Sequence, residues 1–146
     1  MMIDGANDPT VALRSAAAAV VEQLAPLSGV EFGFNRESVE WLAGFLERQR
    51  AQPDFNADAI RGLTIPVGAF LGESLIAATG GRWEWSAEFG QWSVAFDGNN
   101  AAYPFAKVHK QLESGLAGGE SILSFYDVVV EHLVTGSLSR ALNKEI

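Results

Sequence analysis

The chain has 146 residues, 48% of them hydrophobic, with 18 acidic against 10 basic side chains and no cysteine. The length predicts one domain, 1–146, with weakly ordered ends at 1–8 and 137–146, and the composition is typical of a globular protein with its own core. A net charge of −8 argues against a nucleic-acid partner, because such proteins need clustered Lys and Arg. The absence of cysteine excludes disulfides, thiolate metal sites and a thiol nucleophile.

The expected location is the cytoplasm, without a membrane partner. The first residues contain no basic and apolar leader of the kind that directs secretion. The most apolar stretch, 62–72, is much shorter than the roughly 20 residues that a membrane span needs, and it contains Pro66.

Two amphipathic helices are predicted in the N-terminal part. Asp8 followed by Pro9 is a good helix start, and Pro26 is expected to end this first helix. Asn35 is the expected N-cap of the second helix, which Pro53 separates from the next segment. Both helices carry apolar residues at helical spacing, which predicts that each buries one face.

The third helical segment, 57–79, is apolar nearly all round, which is typical of a helix buried in the middle of a domain. Three glycines within it would allow neighbouring backbone to approach closely. Pro66 is expected to kink or split this helix near 62–65, because proline removes a helical hydrogen bond. We therefore predict a central, kinked helix.

After Gly80 and Gly81 the apolar period changes from 3.6 to 2, which indicates β-strands. Two alternating segments predict a hairpin with one aromatic face, expected to pack on the central helix. A turn at 97–100 and a short third strand at 101–103 would follow.

Two C-terminal helices complete the predicted order of elements. Pro104 opens the first of them, the segment 115–119 interrupts it, and an apolar stripe from Ile122 predicts a last helix ending near Gly136. Strands segregated from helices indicate an α+β fold, with three N-terminal helices, a two- to three-stranded antiparallel meander and two C-terminal helices.

Searches for catalytic motifs give no match. The chain contains neither the Gly-Lys-Ser/Thr of a phosphate-binding loop nor the Gly-x-Ser-x-Gly of a serine hydrolase. His109 and His132 are placed in different helices, each without a second ligand at a spacing that builds a metal site, and each is expected to be half-buried. We therefore predict no metal and no cofactor.

Glu73 is the one charged residue between Arg61 and Arg82, on the apolar central helix. A buried carboxylate without a partner is costly, so Glu73 must be paired, protonated or near an opening. One hypothesis is an ion pair with Arg61, Arg82 or Lys107. The other is a carboxylate of raised pKa that lines a pocket near His109, which makes Glu73 and His109 the catalytic candidates.

The tryptophans are the second group of candidates. Trp83, Trp85 and Trp92 lie on neighbouring predicted strands, and Trp41 lies on the second helix. They form part of the core if the central helix covers the sheet. If some remain open, they form a stacking platform or a protein-docking patch.

Three segments together resemble a group of small bacterial domains of unknown function: Gly-Ala-Phe-Leu-Gly-Glu at 68–73, Gly-Gly-Arg-Trp-Glu-Trp at 80–85 and Pro-Phe-Ala-Lys-Val at 104–108. The resemblance covers roughly residues 35–126. It implies a bacterial intracellular domain, and it adds Gly72, Trp83 and Lys107 to Glu73 as positions that belong to the group's pattern. It implies no activity.

Two functions of different classes remain open. The favoured one is a non-enzymatic protein-interaction module, of a regulatory or immunity type, that binds a basic protein partner, because residues 1–60 alone carry nine acids against four bases. The alternative is a small-molecule-binding domain or an enzyme that uses Glu73 with His109 or Lys107. A homodimer formed through an edge strand or an aromatic patch is compatible with either.

Overall fold

A computed structural model describes residues 8–97 and 100–135, and within this part the α+β prediction is confirmed. Three helices come first, then a three-stranded antiparallel sheet and two further helices. The ends predicted to be weakly ordered, 1–8 and 137–146, lie outside the described residues except for Asp8, as does the tip of the predicted 97–100 turn. The elements, in chain order, are α1 (Pro9–Ser28), α2 (Arg36–Arg50), α3 (Ala57–Thr79), β1 (Arg82–Ser86), β2 (Gln91–Ala95), β3 (Ala101–Ala102), α4 (Pro104–Ser114), a 3₁₀ turn (Leu116–Gly118) and α5 (Ile122–Thr135).

The predicted caps start the first two helices. The Asp8 carboxylate accepts the Thr10 backbone N–H at 2.9 Å, and the Asn35 side chain accepts that of Ser38 at 2.9 Å. The predicted stop at Pro26 is wrong, because α1 continues to Ser28 and ends where Gly29 adopts φ +73°. A proline so close to a helix end costs only one hydrogen bond, since the last turn has few bonds left to form.

Helix α3 is the central helix, as predicted, and packs against α1, α2, α4, α5 and β2. Its residues from Val67 to Leu75 are almost all buried. The hydrogen-bonded helix runs unbroken through Pro66, so the proline does not split it. The carbonyl that Pro66 leaves without a helical donor belongs to Gly62, which is exposed, so water can solvate it.

The sheet has the order β1–β2–β3, with β1 at one edge. In the β1–β2 register Trp83 lies opposite Val94 and Trp85 opposite Trp92, which places these side chains on one face. The third strand is shorter than predicted. It ends at Ala102, because Tyr103 is already the N-cap position of α4.

Within the described ranges one helix, α3, is long and apolar enough to cross a membrane when judged by length and composition alone. The core helix of a water-soluble domain passes the same test. Here α3 packs against five other elements of the fold, so its apolar surface is explained by the core.

Candidate functional site

Glu73 is held by Trp83, on the first strand of the sheet. The Trp83 indole N–H donates to the Glu73 carboxylate at 2.7 Å, and both side chains are half-buried. The same indole lies directly over Gly72, where a Cβ atom would overlap its six-membered ring. The Phe105 ring lies 5.8 Å from the Trp83 ring and covers Gly68 in the same way. Gly68 and Gly72 of α3 therefore provide the surface on which two aromatic rings pack.

The ion pair expected for Glu73 is not present among the described residues. Each of the three predicted partners is paired elsewhere: Arg61 with Asp58, Arg82 with Glu84 at 3.5 Å, and Lys107 with Glu120 at 2.9 Å. The indole N–H satisfies the carboxylate without a counter-charge, a solution that sequence reasoning did not consider. A hydrogen bond to an ionised acceptor is worth about 1.5–3 kcal/mol, so this contact also fixes the indole.

Lys107 is buried, with 7% of its surface exposed. Its Nζ atom donates to Glu120 Oε1 at 2.9 Å and lies 6.0 Å from the centre of the Phe125 ring. These contacts tie α4 to the start of α5. In the described structure, the Lys107 side chain therefore points toward Glu120 and Phe125.

His109 is more exposed than predicted, and its Nε2 atom lies 3.2 Å from a Glu113 carboxylate oxygen. Glu113 is four residues further along the same helix face, so the prediction that His109 has no carboxylate at ligand spacing is wrong. His132 is half-buried, as predicted. No group of three or more candidate metal ligands occurs within 8–97 and 100–135, and a histidine–glutamate pair alone is too small a ligand set for a structural zinc site.

The tryptophans divide between core and surface. Trp83 and Trp92 are half-buried, and Trp41 stacks on Phe45 with ring centres 5.5 Å apart. Trp85 is 52% exposed, although it shares a sheet face with Trp83, because it lies further toward the hairpin turn. The prediction that the central helix covers the aromatic face is therefore correct for Trp83 and wrong for Trp85.

The turn between β1 and β2 presents a second exposed ring. Phe89 is 54% exposed and packs edge-on against Tyr103, with ring centres 5.3 Å apart. The turn is hydrogen-bonded: the Phe89 N–H reaches the Ser86 hydroxyl at 3.2 Å, and the Gly90 N–H reaches the Ser86 carbonyl at 2.7 Å. Gly90 has φ +62°, which glycine adopts without strain. The exposed ring is therefore presented on a defined turn.

A concavity of about 200 Å³ lies on the polar face of the sheet. Its lining includes Arg82, Glu84, Ser93 and Tyr103. A smaller one of about 70 Å³ lies where α3 meets β1. Glu73 lines neither of them; its carboxylate is bonded to Trp83, which lies on the sheet face opposite the larger concavity.

Sequence reasoning missed Gln111, which is fully buried. Its side-chain amide donates to the Ala43 carbonyl at 3.1 Å and to Glu47 at 3.0 Å, and its oxygen accepts the Ile122 backbone N–H at 2.8 Å. One side chain thus joins α2, α4 and α5. The available signal was a glutamine within the apolar stripe of α4, between Val108 and Leu112.

The titrating groups whose pKa clearly departs from its ordinary value lie away from Glu73. Burial, followed by the nearby Asp127 carboxylate, raises the pKa of Tyr126. The Arg36 guanidinium makes a two-pronged ion pair with Asp127, at 2.8 and 2.9 Å, and this pair raises the pKa of Arg36. Hydrogen bonds from Thr10 lower the pKa of Asp8. The lowered pKa of Asp8 therefore comes from its role as a helix cap, the raised pKa of Arg36 from a contact between α2 and α5, and the raised pKa of Tyr126 mainly from burial.

Comparison with protein-family models, with curated proteins and with solved structures finds no match for this chain. The resemblance to small bacterial domains of unknown function therefore stays a prediction. The arguments for function that follow are drawn from the geometry of the chain itself.

Proposed function

We propose that this protein is a non-enzymatic protein-interaction module, of a regulatory or immunity type, that binds a basic partner through its hairpin turn. The surface concerned, called here the hairpin patch, consists of Trp85, Glu88, Phe89 and Tyr103. The observation that carries the proposal is the exposure of two large aromatic rings on the same hairpin, four residues apart in the chain, at 52% for Trp85 and 54% for Phe89.

Most of the other aromatic side chains of the described chain are packed. Phe70 and Phe125 are buried, and Phe32 packs edge-on against Trp41 at 5.7 Å. Exposed aromatic rings are enriched where proteins bind one another, because a ring offers a large contact area for little conformational entropy. The hydrogen-bonded turn adds to this advantage, since an ordered surface loses less entropy on binding.

The charge of the molecule favours a basic partner. The chain carries a net charge of −8, and the exposed Glu88 is the neighbour of Phe89 in the chain. A partner with Arg or Lys beside apolar residues would contact both this carboxylate and the aromatic ring. In the acidic N-terminal segment, Asp8, Glu40, Glu47 and Asp58 contact side chains or backbone groups of their own helices.

Binding of labelled synthetic peptides tests the proposal, with fluorescence anisotropy as the readout. A peptide that alternates Arg and Leu is expected to bind, and its affinity is expected to fall as salt rises. A matched peptide with Glu in place of Arg is expected not to bind. Phe89→Ser is expected to weaken binding by about tenfold or more, because interface aromatics often carry over 1 kcal/mol.

Leu27→Ser is the matched control, since Leu27 is 70% exposed but lies on α1. Equal loss of binding in both variants would contradict the proposal, because apolar exposure anywhere on the surface would then suffice. Equal binding of the Arg and Glu peptides would contradict the role given to charge.

A second function is favoured by the concavity on the polar face of the sheet. Its volume of about 200 Å³ and its mixed lining, which includes Arg82, Glu84, Ser93 and Tyr103, would suit a small polar ligand. This concavity is distinct from the pocket hypothesised at Glu73, which does not line it. A thermal-shift screen with amino acids and monosaccharides tests it: stabilisation that Ser93→Val abolishes would favour a ligand site over the interaction module.

A further inference from the structure

The outer edge of β1 is open within the described part of the chain. The sheet order is β1–β2–β3, so no described strand pairs with β1 on the side away from β2. All five of its residues are exposed or half-exposed. An edge strand presents unpaired backbone N–H and C=O groups, which form a template for another strand.

The pattern of side chains along this edge is complementary to itself. Arg82 and Glu84 lie on one face, with Arg82 Nη2 at 3.5 Å from Glu84 Oε2, and Trp83 and Trp85 lie on the other. When two copies of an antiparallel edge pair about a two-fold axis at Trp83, Arg82 of each copy lies opposite Glu84 of the other. This register forms two cross-strand pairs of opposite charge.

Neighbouring registers are less favourable. An axis at Glu84 would place two carboxylates directly opposite each other, which is destabilising. A shift of one residue would place the tryptophan face of one copy beside the polar face of the other. The Trp83 register also places the half-exposed Trp85 opposite Gly81 of the second copy, where no side chain competes for the space.

We infer that the protein forms a symmetric homodimer in which the β1 edges of two copies pair antiparallel, with Trp83 on the two-fold axis. Two three-stranded sheets then join into one of six strands. The turn residues Glu88 and Phe89 lie beyond the paired segment 81–85. Trp85 belongs to both surfaces, so Phe89, which lies outside the paired segment, is the position that separates this inference from the partner proposed for the hairpin patch.

Sedimentation of the purified protein tests this inference, with reversed charges at Arg82 and Glu84 as the perturbation. At about 0.15 M salt the screening length is about 8 Å, which weakens repulsion between two copies of net charge −8 more than it weakens contact pairs. The unmodified protein is expected to be a dimer at micromolar concentration. Glu84→Arg and Arg82→Glu should each raise the dissociation constant by about tenfold or more, because each places like charges opposite each other.

An equimolar mixture of the two variants is the decisive arm. One chain then carries two arginines and the other two glutamates, so the mixture is expected to form a heterodimer although each variant alone is a monomer. Phe89→Ser is expected to stay dimeric, which separates this inference from the proposed function. A monomeric unmodified protein, a dimer that survives Glu84→Arg, or a mixture that stays monomeric would each overturn the inference.

Discussion

The contact between Gly72 and Trp83 makes a sharp prediction about two glycines of the same helix. Gly72→Ala adds a Cβ that overlaps the Trp83 indole, whereas a Cβ on Gly62 meets nothing within 4 Å. In an exposed helix interior, Gly→Ala stabilises by about 1 kcal/mol. We therefore expect Gly62→Ala to stabilise the protein by about that amount, since nothing offsets the gain.

For Gly72→Ala the same gain is opposed by two costs. Overpacking a well-filled site costs about 1–3 kcal/mol. If the indole moves away, it also loses the 2.7 Å hydrogen bond to Glu73, a bond to a charged group worth about 1.5–3 kcal/mol. When both costs apply, subtracting the helical gain of about 1 kcal/mol leaves an expected loss of about 1.5–5 kcal/mol. The two alanine variants should thus differ by at least about 2.5 kcal/mol, or roughly 8 °C in Tm.

Urea unfolding followed by tryptophan fluorescence measures both variants, and unchanged slopes would show that the midpoints report stability alone. The cost of Gly72→Ala should disappear in a Trp83→Leu background, because the clashing ring is then absent. The reasoning fails if Gly72→Ala stabilises the protein as much as Gly62→Ala does.

Three further predictions follow from individual contacts. Glu73→Gln keeps an oxygen that can accept the Trp83 N–H and should cost little, whereas Glu73→Ala should cost about 1–3 kcal/mol in urea unfolding. Gln111→Leu leaves the buried Ile122 N–H without an acceptor, so we expect a loss of about 1–3 kcal/mol and faster amide exchange at Ile122. Because the pKa of Tyr126 is raised above 10.0 in the folded state, the unfolded chain releases this proton first. Stability should therefore fall as pH rises above about 10, and Tyr126→Phe should reduce that dependence in urea titrations at several pH values.

Local signals in the sequence predicted most of the elements. Asp8 before Pro9 and Asn35 before the second helix marked helix starts correctly, because a capping side chain acts within three residues of itself. After Gly81 the apolar residues repeat every second position, and this located the hairpin correctly, because strand periodicity is also set by residues close together in the chain. Proline was the weak signal: Pro26 and Pro66 both lie inside continuous helices, since one lost hydrogen bond is tolerated where packing holds the helix.

The candidate site was only partly predictable. The sequence singled out Glu73 because a lone charge on an apolar helix must be paired, protonated or near an opening, and the structure shows its carboxylate accepting the Trp83 N–H. The expected cationic partner was wrong, because the choice between a cation and an indole N–H depends on which strand residue lies over α3. Gln111 was missed for the same reason: its three contacts, with Ala43, Glu47 and Ile122, come from segments far from it in the chain or across a turn.

The acidity, the lack of cysteine, the α+β order of elements and the isolation of Glu73 can be read from the sequence alone, because each depends on composition or on spacing along the chain. Tertiary structure decided which groups meet. It placed Trp83 over Gly72 and against Glu73, left Trp85 and Phe89 at the surface, and put β1 at the sheet edge. Each of these depends on packing between segments distant in sequence, and periodicity gives the direction in which a side chain points without naming the neighbour it reaches.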